Sequence, residues 1–357
     1  MISYLFRKLG YAILTLYGVV TLIFLLFYLL PGDPAEMMLG QNQTPEQIEN
    51  LNAKYGFDKS TFEQYLLFIN DLSPLSYHSG NPTDFTYPNE RYNGFELINT
   101  DSWSLMFKTP YLRESFQKTG KPVSDVIAEV LPNTVLLAAT AIIIALLLGT
   151  LLGVASALYR DGAIDKVIQV ISTLGMSIPS FFSAILFAYF FGYVLHEYTG
   201  LNMSGNLYEL DDYGEQMHLQ WNNLVLPAIV LGIRPLAVIT QLMRNSLIDV
   251  MNQEYITTAY AKGLTTAQVI WRHAFKNALN PVVTAVSGWF ASMLAGAVFV
   301  EYIFNWNGLG KEIVEALNTL DLPIITGAVL VIATLFIFIN IVVDLIYVWL
   351  DPRVSLD

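Results

Sequence analysis

Three ionisable residues stand inside apolar runs: Arg234, Glu301 and Asp344. A charge at membrane depth is costly, and by default it marks a pathway, a relay or a buried pair. Arg234 can pair with Asp344, or it can line a wet cavity and hold a substrate carboxylate. The plainer roles are snorkelling for Arg234 and satisfaction of a helix end for Asp344. Glu301 falls near the end of its run. Ser177 and Pro179 are the other intramembrane candidates for a pathway. Pro179 removes a backbone hydrogen bond and predicts a kink. Ser172, Thr173, Ser177, Ser180 and Ser183 around it are small and polar, fit for close helix packing or for lining a path.

Catalytic chemistry is not legible. Gly308-Leu309-Gly310-Lys311-Glu312 lacks the upstream glycine and the Ser or Thr of a nucleotide-binding loop. Gly175-Met176-Ser177-Ile178-Pro179 lacks the last glycine of a nucleophile elbow. His78, His196, His218 and His273 are scattered, with no metal-ligand spacing. The chain has no cysteine, so thiolate metal sites and disulfides are excluded. No catalytic residue, metal site or cofactor of its own is expected.

The elements that must hold these residues are membrane helices. Of 357 residues, 54% are hydrophobic and 13% charged, where soluble domains carry about 25% charged residues. The net charge of −12 speaks against a nucleic-acid partner. A spanning helix needs about 20 apolar residues. Six such runs are read, near 9–30, 133–158, 167–195, 223–243, 282–303 and 323–350. The first is too long for a signal peptide and is read as a retained anchor. Arg7, Lys8, Arg160, Lys166, Arg244, Lys262, Arg272, Lys276 and Arg353 fall on one side when both termini are cytoplasmic, which the positive-inside rule favours.

The expected fold is therefore an all-α polytopic membrane protein. Residues 1–30 form a short N-terminal segment and the first span, 31–132 an external lobe, and 133–357 a core of five helices. In the lobe, Thr44-Pro45-Glu46-Gln47 predicts a capped helix ended by Gly56, and a second helix starts near Thr61. Residues 74–121 read as irregular or hairpin-rich. The acidic external segments suit either a solvated surface or a docking face.

One cytoplasmic loop, 244–281, is long enough to be a feature of its own. Within 252–281, Tyr255, Ile256, Ala259 and Tyr260 recur at helical spacing up to Gly263. A second helix is expected from Thr266 to about Asn277. Two short helices bent at a glycine make a knob under the membrane.

With these residues in view the chain resembles the membrane-spanning permease subunits of binding-protein-dependent ABC importers. The likeness is to the dipeptide/oligopeptide/nickel branch, and to the first permease of its pair. It rests on Tyr4-Leu5-Phe6-Arg7-Lys8, Leu29-Leu30-Pro31-Gly32-Asp33-Pro34, Tyr55-Gly56-Phe57-Asp58-Lys59, Leu131-Pro132-Asn133-Thr134, Glu254 through Leu264, His273 through Pro281, and Asp344 through Val354. The 252–281 loop resembles the family's coupling motif, with Thr257 at the Glu position, Thr258 and Ala259 at the alanines, Gly263 at the glycine and Pro281 at the distal proline. Glu254, Tyr255, Ala261 and Lys262 complete the candidate ATPase-coupling set. The resemblance implies a second homologous permease, two cytoplasmic ABC ATPases that use ATP and magnesium, and an external substrate-binding protein. It also implies a prokaryotic plasma (inner) membrane and a cargo of di- or oligopeptides. Gln241, Asn307, the lobe around 74–121 and the long 196–222 segment depart from the branch pattern. The alternatives are a nickel or glutathione permease of the same family, a standalone secondary transporter, and a scaffold presenting the external lobe.

Overall fold

The computed structural model describes residues 2–29, 35, 39, 44–82, 84–88, 91–118, 120–210 and 216–350. Leu30-Pro31-Gly32-Asp33-Pro34 and Asp351 through Val354, on which part of the resemblance rests, lie outside these residues. The chain divides into two compact units, one of residues 5–129 and 313–333, the other of 130–312 with both chain ends.

In the first unit α1 (Ile2–Leu29) is followed by α2 (Pro45–Tyr55) and α3 (Thr61–Leu72). The capping box read at Thr44 forms: its hydroxyl accepts from the Gln47 amide, and the Gln47 side chain accepts from the Thr44 amide. Ser60 and Glu63 make the same exchange at the start of α3. Gly56 ends α2 at φ 72, in the left-handed region that only glycine enters freely. Three antiparallel strands follow in the order β1-β3-β2: β1 Leu75–Ser79, β2 Gly94–Asn99 and β3 Trp103–Lys108.

Alternation sends Ser76 and His78 of β1, and Ser104, Met106 and Lys108 of β3, inward. The inner face is thus polar and charged, and each group needs a partner. Ser76 and His78 pair with each other and His78 also meets the Thr86 carbonyl, while Asp71 gathers Lys108, Tyr92 and Arg113. Its carboxylate accepts from Arg113 Nε at 2.9 Å and from Tyr92 at 3.1 Å. Its carbonyl accepts from Lys108 Nζ, which also lies 5.2 Å from the centre of the Tyr92 ring. Burial pushes Lys108 down to about 8, Tyr111 up to about 12, Tyr92 up and His78 down.

The second unit is helical. Its elements are α4 (Val123–Leu158), α5 (Ala163–Ser177), α6 (Ser180–Phe187, continued by a π-helical stretch Ala188–Val194), a hairpin of β4 (Tyr208–Leu210) and β5 (Met217–Leu219), α8 (Asn222–Met251), numbered after the short α7 (His196–Thr199), and α9 (Glu254–Ala261). Then come α10 (Thr266–Val269, continued through Ile270–Ala274 and Phe275–Ala278), α11 (Asn280–Gly296), α12 (Val298–Ile303) and α13 (Leu309–Thr319). The residues of α13 from Ile313 on, and the first part of the last helix, α14 (Leu322–Leu350), belong to the first unit. Small residues let α4 and α8 approach closely. A Cβ on Gly153 would lie 2.6 Å from the Cβ of Met243, and one on Gly149 2.9 Å from Ile239.

Six spans are not confirmed by helix length and composition among the described residues. Among the described residues four helices are each long and apolar enough to cross a membrane: α1, α4, α8 and α14. A fifth counts if α5 and α6, bent by 109°, are one broken span. The expected kink at Pro179 is a full break. The residue before a proline is pushed out of the helical region, and Ile178 sits at φ −78, ψ 130. The run 282–303 is two shorter helices, α11 and α12. Pro132, read as opening the second span, lies well inside α4, which begins ten residues before 133.

Candidate functional site

Gly263 turns the chain between α9 and α10 at φ 83, and nothing lies within 4 Å of where its Cβ would stand. Conformation, not space, is what requires glycine there. On its far side Thr265 caps α10: its hydroxyl accepts from the Gln268 amide at 3.4 Å, and the Gln268 side chain accepts from its amide at 3.0 Å. The two short helices are thus fixed by signals within a few residues of the bend.

Their inward faces are small and apolar. Ile256, Ala259, Val269, Ala274 and Ala278 form one buried cluster with Ala145 of α4 and with Ile239, Met243 and Leu247 of α8. The elbow is therefore packed on spanning helices rather than tethered to them. Dense interiors transmit displacement. A π-helical turn at Ile270–Ala274 turns Trp271 outward, 58% exposed and 4.7 Å from the Phe275 ring. Asn277 donates to the Tyr255 hydroxyl at 2.9 Å and ties the second helix to the first.

The candidate coupling residues divide accordingly. Glu254, Tyr255, Thr257, Thr258, Ala261, Lys262 and Gly263 are exposed, Ala259 is buried, and Pro281 is half-buried at the start of α11. Arg272, His273 and Lys276 add exposed basic character to the same surface. Exposed Tyr255, Tyr260, Trp271 and Arg272 on this surface are of the residue types enriched at protein interfaces.

The intramembrane candidates do not converge on one site. Arg234, midway along α8, lines a pocket of about 100 Å³ with Ile178, Ser180 and Ser183 at the α5–α6 break and with Trp289 and Ser292 of α11. Among the described residues Arg234 has no ion-pair partner, so the pairing with Asp344 does not form. Asp344 is half-buried on α14. Ser177 donates to the Thr173 carbonyl at 2.8 Å and so spends its hydroxyl within α5.

Glu301 is fully buried and away from that pocket. Its Oε2 accepts from the amides of Gly310 at 2.7 Å and Lys311 at 3.2 Å, at the start of α13. A carboxylate there satisfies the open end of the helix. A Cβ on Gly308 would stand 2.4 Å from that carboxylate, and one on Gly310 2.5 Å from the Cα of Val298. The Gly-Leu-Gly stretch is thus a close-approach turn wrapped on Glu301. Asn133 and Thr134 hold it from the other side: Trp306 Nε1 donates to the Asn133 carbonyl at 3.1 Å, and the Leu309 amide donates to the Thr134 hydroxyl at 2.7 Å.

Sequence reasoning missed one further joint. Asp165 at the start of α5 accepts from Arg244 of α8 through both oxygens, at 2.8 and 2.6 Å, and also from Ser156 and the Asp161 amide. The pair is largely buried. Its members are 79 residues apart, and nothing in local spacing signals it. Arg244 was read only as a topology marker.

Residues 149–356 match the family described as "Binding-protein-dependent transport system inner membrane component", and residues 1–78 match the family's N-terminal region. The chain is 31% identical to a dipeptide transport system permease protein of Alkalihalophilus pseudofirmus, over 99% of this chain and 100% of that one. It is 33% identical to a di/tripeptide transport system permease protein of Pseudomonas aeruginosa, over 99% of both. Among solved structures, an inward-facing form of a methionine ABC transporter aligns at a TM-score of 0.52 with 14% identity, covering 65% of this chain and all of that one.

Proposed function

The chain belongs to the inner-membrane components of binding-protein-dependent transport systems, in the dipeptide/oligopeptide branch of ABC permeases, and from that premise we propose how its parts divide the work. It is a transport subunit of an ABC importer. The elbow 252–281 is the surface on which a cytoplasmic ATPase docks. Closure of two ATPases around ATP and magnesium pushes on α9 and α10, and the buried cluster passes that displacement to α4 and α8. A second homologous permease completes the pathway, and an external binding protein delivers cargo to the side that carries the lobe 31–132. Both termini and the elbow lie in the cytoplasm.

The relatives that carry peptide-transport names support di- or oligopeptides as cargo. Arg234 is the residue of this chain that suits such a cargo. A guanidinium beside the serines of a broken span can meet a peptide carboxylate as it passes.

The single observation that carries the reading is the elbow itself: a glycine-set bend with a buried apolar face on the spans and an exposed aromatic and basic face. Gly263→Pro tests it, because proline cannot adopt φ 83. Uptake of a labelled dipeptide by the assembled importer is expected to be lost while the complex still assembles. A second test uses the absence of native cysteine. A single cysteine at Ala261 is expected to cross-link to an ATPase subunit. Uptake that survives Gly263→Pro, together with no cross-link from Ala261, overturns the reading.

A further inference from the structure

The first unit contains a cavity of about 420 Å³ that the transport reading does not use. That volume is in the range of about 300–1,000 Å³ typical of small-molecule sites. Its walls are Phe24 and Phe27 of α1, Leu67 and Phe68 of α3, and Leu322 with Pro323 at the start of α14. α1 and α14 are both long and apolar enough to cross a membrane. The cavity is therefore lined in part by the ends of two candidate spans.

Two polar groups break the apolar lining. Arg113 reaches the cavity from a backbone at φ 65, a strained conformation for a residue with a side chain. Its Nε is held by Asp71, and its guanidinium lies 5.5 Å from the centre of the Phe68 ring. Among the described residues its two terminal nitrogens have no partner. Buried Asp71 stands as one carboxylate against two cations, buried Lys108 and half-buried Arg113. Asn52, also in the wall, has a buried Oδ1 with no hydrogen-bond donor among the described residues. A buried polar atom without a partner costs about 1–3 kcal/mol, so this site is incomplete as it stands.

We propose that the cavity takes one acyl chain of an anionic phospholipid whose head group carries a hydroxyl. The tail fills the space between α1, α3 and the start of α14. The phosphate accepts from the free nitrogens of Arg113 and balances the surplus cation. The head-group hydroxyl donates to Asn52 Oδ1. A bound lipid would brace the lobe against the spans that lead into it, independently of which cargo passes through the core.

The test uses the complete chain within its assembled importer, in nanodiscs. Phosphatidylglycerol and phosphatidylcholine, each with a photoactivatable acyl chain, are compared by mapping the labelled peptides. Phosphatidylglycerol is expected to label the segments around Phe24–Phe27 and Leu322–Pro323, and phosphatidylcholine to label them several-fold less. Leu67→Trp, which fills the cavity and leaves the Asp71 cluster untouched, is expected to abolish that labelling. Arg113→Gln is expected to erase the preference between the two lipids. Equal labelling by both lipids, or labelling unchanged by Leu67→Trp, overturns the proposal. So does a cavity found occupied by a segment of the second permease.

Discussion

The elbow around Gly263 and the lobe around Asp71 solve opposite problems with opposite materials. The elbow buries small apolar residues, Ala259, Ala274 and Ala278, and leaves Glu254, Lys262, Arg272 and Lys276 in solvent. The lobe buries Asp71, Lys108, His78 and Ser76, and leaves Leu75, Tyr77, Phe95 and Phe107 exposed on the outer face of its sheet. A part that transmits displacement gains from contacts that are dense and insensitive to charge. A part held by a few buried charges is specific in shape but fails sharply when one partner goes.

The largest effect is expected from breaking the lobe's centre. Asp71→Ala leaves half-buried Arg113 and the Tyr92 hydroxyl without their carboxylate, and buried Lys108 with only the backbone carbonyl of residue 71. Losing one partner of a buried pair costs about 3–5 kcal/mol. Amide exchange across β1–β3 is expected to rise by orders of magnitude, while exchange in α9 and α10 stays as it was. A coupled change in the elbow would show that the two regions are not independent.

Gly263→Ala is expected to be milder, because the left-handed region costs an L-residue roughly 1–2 kcal/mol. The elbow remains folded on α8, and dipeptide-stimulated ATP hydrolysis by the assembled complex falls without disappearing. Uptake indistinguishable from wild type would show that the bend need not be stiff. Thr265→Ala, which removes one cap, is expected to cost about 1 kcal/mol, read as faster exchange confined to Thr266–Ala278.

The smallest effect near neutral pH is the lobe's titration. Lys108 is pushed from its ordinary 10.5 down to about 8. Between those values the unfolded chain holds the proton and the folded lobe does not, so stability rises with pH across about 8–10. Tyr111, pushed up to about 12, has the opposite sign: above its ordinary 10.0 the unfolded chain loses the proton first, and stability falls. His78 is pushed down by burial, so stability falls as pH drops below its ordinary 6.5. Lys108→Met is expected to remove the rise between 8 and 10 and leave the other two limbs. The pH dependence of β3 exchange, corrected for the intrinsic rate, checks all three. The elbow, without such groups in its core, should show none of it.

Local signals were legible in proportion to how local they are. The capping box at Thr44, the glycine ends at Gly56 and Gly263, and the apolar runs of α1, α4, α8 and α14 each need only neighbours in the chain. The resemblance drew on the same segments, and the family match bears it out. Breaks within the apolar runs were less legible, because hydropathy counts residues and takes no account of ψ. Pro179 turns a kink into a 109° break, and the run 282–303 is divided between α11 and α12.

Single charges in apolar runs were the least readable. Arg234, Glu301 and Asp344 look alike as letters, yet one lines a pocket, one closes the start of a helix from full burial and one sits half-buried on α14. Arg244 looked like a surface cation and is locked to Asp165.

From the order of its amino acids this protein had already determined its solvent, its capped helices and the glycine bend on which coupling is proposed to rest, because burial in lipid and backbone conformation are decided residue by residue. Only the tertiary structure decided which buried charge meets which partner, which apolar walls enclose a cavity and which glycines must make room for a carboxylate. Those outcomes depend on atoms brought together from tens to hundreds of residues apart, and no spacing along the chain encodes that distance.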